Sequence, residues 1–154
     1  LFVGGLPLIY MGDEWGQGNT SAQEIAQRNG PDGRELHRPM FDEVGFAKRL
    51  DPHTVQGQIY AAVRAFVQAR KRHASLSASH PLRVWDTGTP SVLGLKRGTD
   101  VLGLFNFSAQ THYLAPGPAL TQNCMTHGTD LISGQSFDLQ GLALPPYSAL
   151  WLKK

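Results

Sequence analysis

The feature that most constrains this chain is its opening run, Leu1-Phe2-Val3-Gly4-Gly5-Leu6-Pro7-Leu8-Ile9-Tyr10-Met11, closed by Gly12-Asp13-Glu14. An apolar run of this length with a polar tip predicts a strand buried on both faces, with function at its carboxyl end. Such a strand needs neighbours on each side to take its backbone hydrogen bonds. The expectation is therefore the tail of a larger enzyme, beginning just before the last strand of a barrel. The missing N-terminal part of that barrel would be its first partner. An exposed strand edge would also allow a homo-oligomer through pairing with a second copy.

Composition narrows the classes. At 154 residues the chain fits one domain, or a part-domain plus a small one. Its hydrophobic content of 41% allows a core, whereas its charged content of 17% is low and fits a surface partly covered by neighbours. The formal net charge is +2 and the one basic run, Arg70-Lys71-Arg72, is short, so no nucleic-acid partner is expected. Pro7 and the Gly4-Gly5 pair break the apolar stretch, which is too short for a membrane span and has no basic lead. Cys124 is the single cysteine, which rules out an internal disulfide and favours, without establishing, a cytoplasmic location. The six histidines show no H-x-x-x-H spacing, so no metal and no cofactor is expected.

Four segments follow in order. Residues 1–14 read as the strand and its acidic tip. Residues 15–50 are a long polar stretch with a turn at Gly30-Pro31-Asp32-Gly33, and loops of this length are usually functional. Residues 51–73 read as a helix, with Asp51 as cap, Pro52 in the first turn, and an apolar stripe of Val55, Ile59, Val63, Phe66 and Val67. From about residue 80 the period becomes strand-like: Leu82–Trp85, then Ser91–Arg97 and Val101–Ser108 around a Gly98-Thr99-Asp100 turn, then Thr111–Leu114. Asp130–Gly134, Ser136–Leu139 and the run Leu142–Leu152 complete an antiparallel sandwich. The fold class is thus mixed: the last strand–loop–helix unit of a (β/α)8 barrel over 1–76, then an all-β, Greek-key-type sandwich over 77–154.

This combination resembles the α-amylase family, glycoside hydrolase family 13. Its last barrel strand reads roughly G-(I/L)-P-L-I-Y-x-G-D-E, matched by Gly5 to Glu14 here. The sandwich of that family commonly carries an N-(F/L)-S strand end, a D-L-(L/I)-(S/T)-G turn and a closing L-P-P-Y-x-x-x-W-L strand. They are matched by Asn106-Phe107-Ser108, Asp130–Gly134 and Leu144–Leu152. Within the family, Arg34-Glu35-Leu36-His37-Arg38-Pro39-Met40-Phe41-Asp42 is similar to the S-R-W-x-H-R-P-x-M-D segment of amylosucrases.

The resemblance implies a parent that cleaves sucrose through a covalent glucosyl intermediate and passes glucosyl to an α-glucan or to water. A trehalose synthase, an α-glucosidase, or a stand-alone carbohydrate-binding or structural module are the alternatives. The nucleophile, the acid/base and a third aspartate would all precede Leu1, so this chain holds no catalytic carboxylate and would be inactive alone. Arg38 is implied at the floor of the glucosyl pocket, paired with an aspartate from an earlier loop, with Arg34 as fallback; a surface arginine tying down the loop is the other reading. His37 contacts sugar or packs the loop. Asp13 and Glu14 are expected at the barrel rim, where adjacent side chains diverge and accept backbone N–H groups or pair with a loop arginine better than they attack one bond. Trp15 stacks on a sugar ring at a subsite or packs beneath the loop.

Overall fold

A computed structural model describes residues 1–27, 36–37, 39–114 and 125–154. By internal contacts the chain divides into two units, Pro7–Ala65 and a second made of Leu1–Leu6 with Phe66–Lys154. The first six residues and the last turns of the long helix thus belong with the sheet. Among the described residues no helix is long and apolar enough to cross a membrane.

The sheet unit is antiparallel throughout. Six strands run in the order β1 (Leu82–Trp85), β2 (Val92–Arg97), β3 (Val101–Asn106), β8 (Ala149–Lys153), β5 (His127–Asp130), β6 (Ser136–Asp138). A second, two-stranded sheet pairs β4 (His112–Tyr113) with β7 (Ala143–Leu144). The turn after β2 is tight because Gly98 takes φ 57°, a left-handed conformation that costs other residues more. Leu102 and Leu104 of β3 and Leu152 of β8 point to one face. There they pack with Leu114, Met125, Leu139, Leu142 and Leu144 as a sandwich core. Val101 and Trp151 point to the other face and pack with Phe2, Ala69 and Leu76. Strand alternation therefore serves two cores at once, so β3 is buried at nearly every position.

Two buried polar side chains hold the ends of these strands. Asn106 donates to the carbonyls of Gln110, Leu144 and Pro145 at 2.7–3.1 Å, and its oxygen accepts from the Ser108 backbone and hydroxyl at 2.9 Å. Asp130 accepts from Ser133 N and Oγ with one oxygen and from Trp151 N, at 2.9 Å, with the other. The N-F-S and D-L-I-S-G motifs thus have a physical reason: each supplies the partners for one desolvated side chain.

The opening run departs from expectation. Leu1–Met11 form no strand. Among the described residues no strand pairs with them, and Leu6 and Leu8 are 91% and 89% exposed. Their carbonyls accept from side chains instead: Arg70 donates to those of Leu1, Val3 and Gly5, and Arg97 to that of Phe2.

In the other unit, the stretch read as a long loop contains short helices among its described residues, including α1 (Ala22–Gln27) and α2 (Glu43–Lys48). Ser21 and Glu24 form a reciprocal capping box at α1, and Asp42 Oδ1 accepts from Gly45 N at 2.9 Å to cap α2. The long helix α3 runs Val55–Arg72. Its cap is Thr54, whose hydroxyl accepts from Gly57 N at 3.0 Å; Asp51, the expected cap, instead accepts from His53 N in the preceding turn. Pro52 accordingly sits in that turn rather than in the helix. Ile59, Val63, Phe66 and Val67 are half-buried along the helix, while Val55 at its start is 66% exposed.

Candidate functional site

The acidic tip is a compact turn built by its glycines. Gly12 (φ 97°) and Gly16 (φ 73°) bracket a 3-10 turn over Asp13–Trp15. A Cβ at Gly12 would come within 2.7 Å of the Gln17 side chain, so the tight geometry excludes larger residues there. Asp13 Oδ2 accepts from Tyr10 N at 3.2 Å and Glu14 Oε2 from Gly12 N at 3.0 Å. Each acid thus spends an oxygen on the backbone immediately before it. Charge on these carboxylates orders the turn, and nothing among the described residues poises either as a nucleophile.

Trp15 is 2% exposed. Its ring meets Phe41 and Phe46 edge-on with centroids 5.5 and 5.2 Å apart, and the Arg49 guanidinium lies 3.5 Å from the Phe46 centroid. The aromatic cluster fixes the segment after the tip against α2, leaving no ring face of Trp15 open for stacking. Trp15 Nε1 is buried without a hydrogen-bond partner among the described residues. His37 is exposed, and the Leu36 carbonyl beside it accepts from Thr20 N at 3.0 Å. Arg34 and Arg38 lie outside the described residues. Asp13, Glu14, Trp15 and His37 therefore share one unit, but only Trp15 is tied to a packed cluster. The S-x-x-E box at Ser21–Glu24 and the Asp42 cap are signals in the sequence that the reading of 15–50 as a loop passes over.

Comparison with known proteins bears on the sheet unit. Residues 82–153 match the model of the amylosucrase C-terminal domain family. This stretch is similar to amylosucrase C-terminal domains. That stretch contains the eight described strands of the two sheets, so the match and the antiparallel fold describe the same object. It also contains the Asn106 and Asp130 networks. The match supports the amylosucrase-like resemblance on the residues that carry the N-F-S, D-L-I-S-G and closing-strand motifs.

Solved structures extend the likeness in fold. Ttha1563 from Thermus thermophilus matches 99% of this chain with 23% identity and a TM-score of 0.66. A mutant of the trehalulose synthase MutB, in complex with Tris, matches 99% with 18% identity and a TM-score of 0.67. The chain spans 28% and 36% of the length of those two proteins.

Proposed function

We propose that the chain supplies the C-terminal part of an amylosucrase-like, sucrose-acting enzyme of the α-amylase family. Residues 1–76 provide the last strand–loop–helix unit of its (β/α)8 barrel, and residues 77–154 a Greek-key-type sandwich. The single observation that carries this reading is the match of residues 82–153 to the amylosucrase C-terminal domain family. Two further facts support it. The 99% coverage takes in the stretch before the sheet unit, and the run from Val3 to Met11 is mostly apolar yet exposed, as a barrel strand without its neighbours would be.

In that enzyme, sucrose cleavage needs two carboxyl groups about 5–5.5 Å apart. One attacks the glucosyl carbon as the other protonates the departing fructosyl oxygen; an acceptor hydroxyl, from glucan or water, then displaces the carboxylate. Both groups come from other parts of the enzyme. This chain contributes a pocket wall: Arg38, with Arg34 as fallback, paired to an aspartate from an earlier loop, and His37 beside it. A guanidinium fork fits that task because it holds a carboxylate bidentately in a dry site. Asp13 and Glu14 shape the rim by holding the turn, and Trp15 anchors the loop that carries the arginines.

The experiment is an assay of the longest reading frame containing this chain. With sucrose it releases fructose, and Arg38→Ala raises KM or abolishes turnover. Turnover of maltose without sucrose cleavage would instead favour the trehalose synthase or α-glucosidase alternative.

A further inference from the structure

One face of the six-stranded sheet is covered over only part of its length. The registers place Leu93 and Leu95 of β2, Phe105 of β3, and Ala149 and Trp151 of β8 on it. Toward the Arg97 end the face is closed, with Leu95 and Trp151 buried against Phe2, Ala69 and Leu76. At the other end Leu93 is 37% exposed, and Phe107, just past β3, is 70% exposed. A groove of about 300 Å³ opens there, and Leu1, Phe2 and Val3 are also among its lining residues.

Ring contacts run through it. Phe107 stacks on Phe105 with centroids 6.4 Å apart and planes 22° from parallel. Phe105 meets Phe2 at 5.4 Å, Phe2 meets Trp151 at 5.2 Å, and Trp151 meets Phe66 at 4.9 Å. The inner rings of this series are buried or half-buried, and Phe107 stands open. The lining carries no charged, hydroxyl or amide side chain, so neither a sugar nor an anion finds a group to orient it there. Further apolar side chains are what the groove fits.

The path of the polypeptide names their source. Phe2 already sits against Phe105 and Trp151. Beyond it the chain leads to Arg97: the Phe2 carbonyl accepts from Arg97, and a Cβ on Gly4 would stand 3.9 Å from its guanidinium. Arg97 lies four positions from Leu93 along β2, about 13 Å at strand spacing. Residues after Val3 therefore run toward the closed end, whereas polypeptide joined to Leu1 enters the groove at its lining. The inference rests on the reading of this chain as the C-terminal part of a longer enzyme. Two solved structures of the same fold are matched over 28% and 36% of their length, so a parent of that size has polypeptide to cover the open end.

We propose that the polypeptide preceding Leu1 in that enzyme lies in this groove, with apolar side chains packed on Phe107, Phe105 and Leu93.

The test uses the longest reading frame that contains this chain. Phe107 is replaced there by photoreactive p-benzoylphenylalanine, the protein is irradiated, and its digest is read by mass spectrometry. The expected adduct joins position 107 to a peptide of the same polypeptide ahead of Leu1. Phe107→Asp is expected to lower the Tm of the longer protein by at least about 5 °C. Tyr147→Asp, at an aromatic 72% exposed but outside the groove, is expected to lower it by no more than about 2 °C. Adducts confined to residues 1–154, adducts to a second copy, no adduct, or equal Tm losses would overturn the proposal. Fructose release is measured on the same protein: its absence alongside the expected adduct counts against sucrose cleavage alone.

Discussion

Arg97 donates to the Phe2 carbonyl at 2.7 Å across ninety-five positions of sequence. Arg97 is fully buried, its other terminal nitrogen donates to the Ser77 carbonyl, and among the described residues its Nε has no partner and no carboxylate pairs with it. Burial, then the nearby Arg70, pulls its pKa below the usual guanidinium value. A buried cation held by peptide carbonyls alone is an expensive arrangement. It fastens residues 1–6 to the sheet, where Phe2 meets Trp151 and Phe105 edge-on at 5.2 and 5.4 Å.

Replacing Arg97 by alanine removes the donors and leaves two carbonyls and a void inside the sheet unit. The variant is expected to unfold with a stability loss of about 2–4 kcal/mol in urea titration. A loss below about 0.5 kcal/mol would show that the carbonyls are solvated in solution.

Gly103 faces the same socket. A Cβ there would lie 2.7 Å from the Phe2 ring and 2.8 Å from that of Phe105. Gly103→Ala is expected to displace Phe2 and cost about 1–3 kcal/mol, with the Trp151 fluorescence environment changed. An unaltered spectrum and Tm would mean that Phe2 does not occupy the socket.

Asn106 makes its bonds at the end of β3 while 2% exposed. Asn106→Ala strands the Leu144 and Pro145 carbonyls and the Ser108 N–H, for an expected loss of about 2–4 kcal/mol. Asn106→Asp keeps the acceptor but turns it against those carbonyls, and is expected to be no less damaging. Urea midpoints of the two variants, compared with the parent chain, check both statements.

These networks show how the sequence maps onto the fold. The N-F-S and D-L-I-S-G signatures, the Gly98 turn and the two-residue period from Leu82 onward are local, and local chemistry is readable from residues alone. The same holds for the capping box at Ser21–Glu24. The opening run is another matter: whether Leu1–Met11 becomes a strand depends on which backbones lie alongside, and that information is not local. Likewise Arg97 reads as one more strand cation until Phe2 and Ser77 are placed over it. Of the candidate site, the acidic tip reads in sequence as the end of a strand, whereas the positive φ of Gly12 and Gly16 makes it a 3-10 turn, and the burial of Trp15 requires the distant Phe41 and Phe46.

His73 gives a pH dependence. Burial, aided by Lys153 and Arg72 and opposed by Asp100, holds it below its ordinary value of 6.5. A histidine whose pKa is depressed on folding keeps its stabilising contribution above the unfolded value and loses it as pH falls toward the folded one. Stability should therefore decline below about pH 6.5, and His73→Asn should flatten that part of the curve. Denaturation midpoints across that range decide it; parallel curves for variant and parent would remove His73 as the cause.

The most direct test of the functional account is fructose release from sucrose, measured side by side for the 154-residue chain and for the longest reading frame that contains it. The account predicts none from the chain and steady release from the longer protein. Release by the 154-residue chain itself, above a no-protein blank, would contradict it.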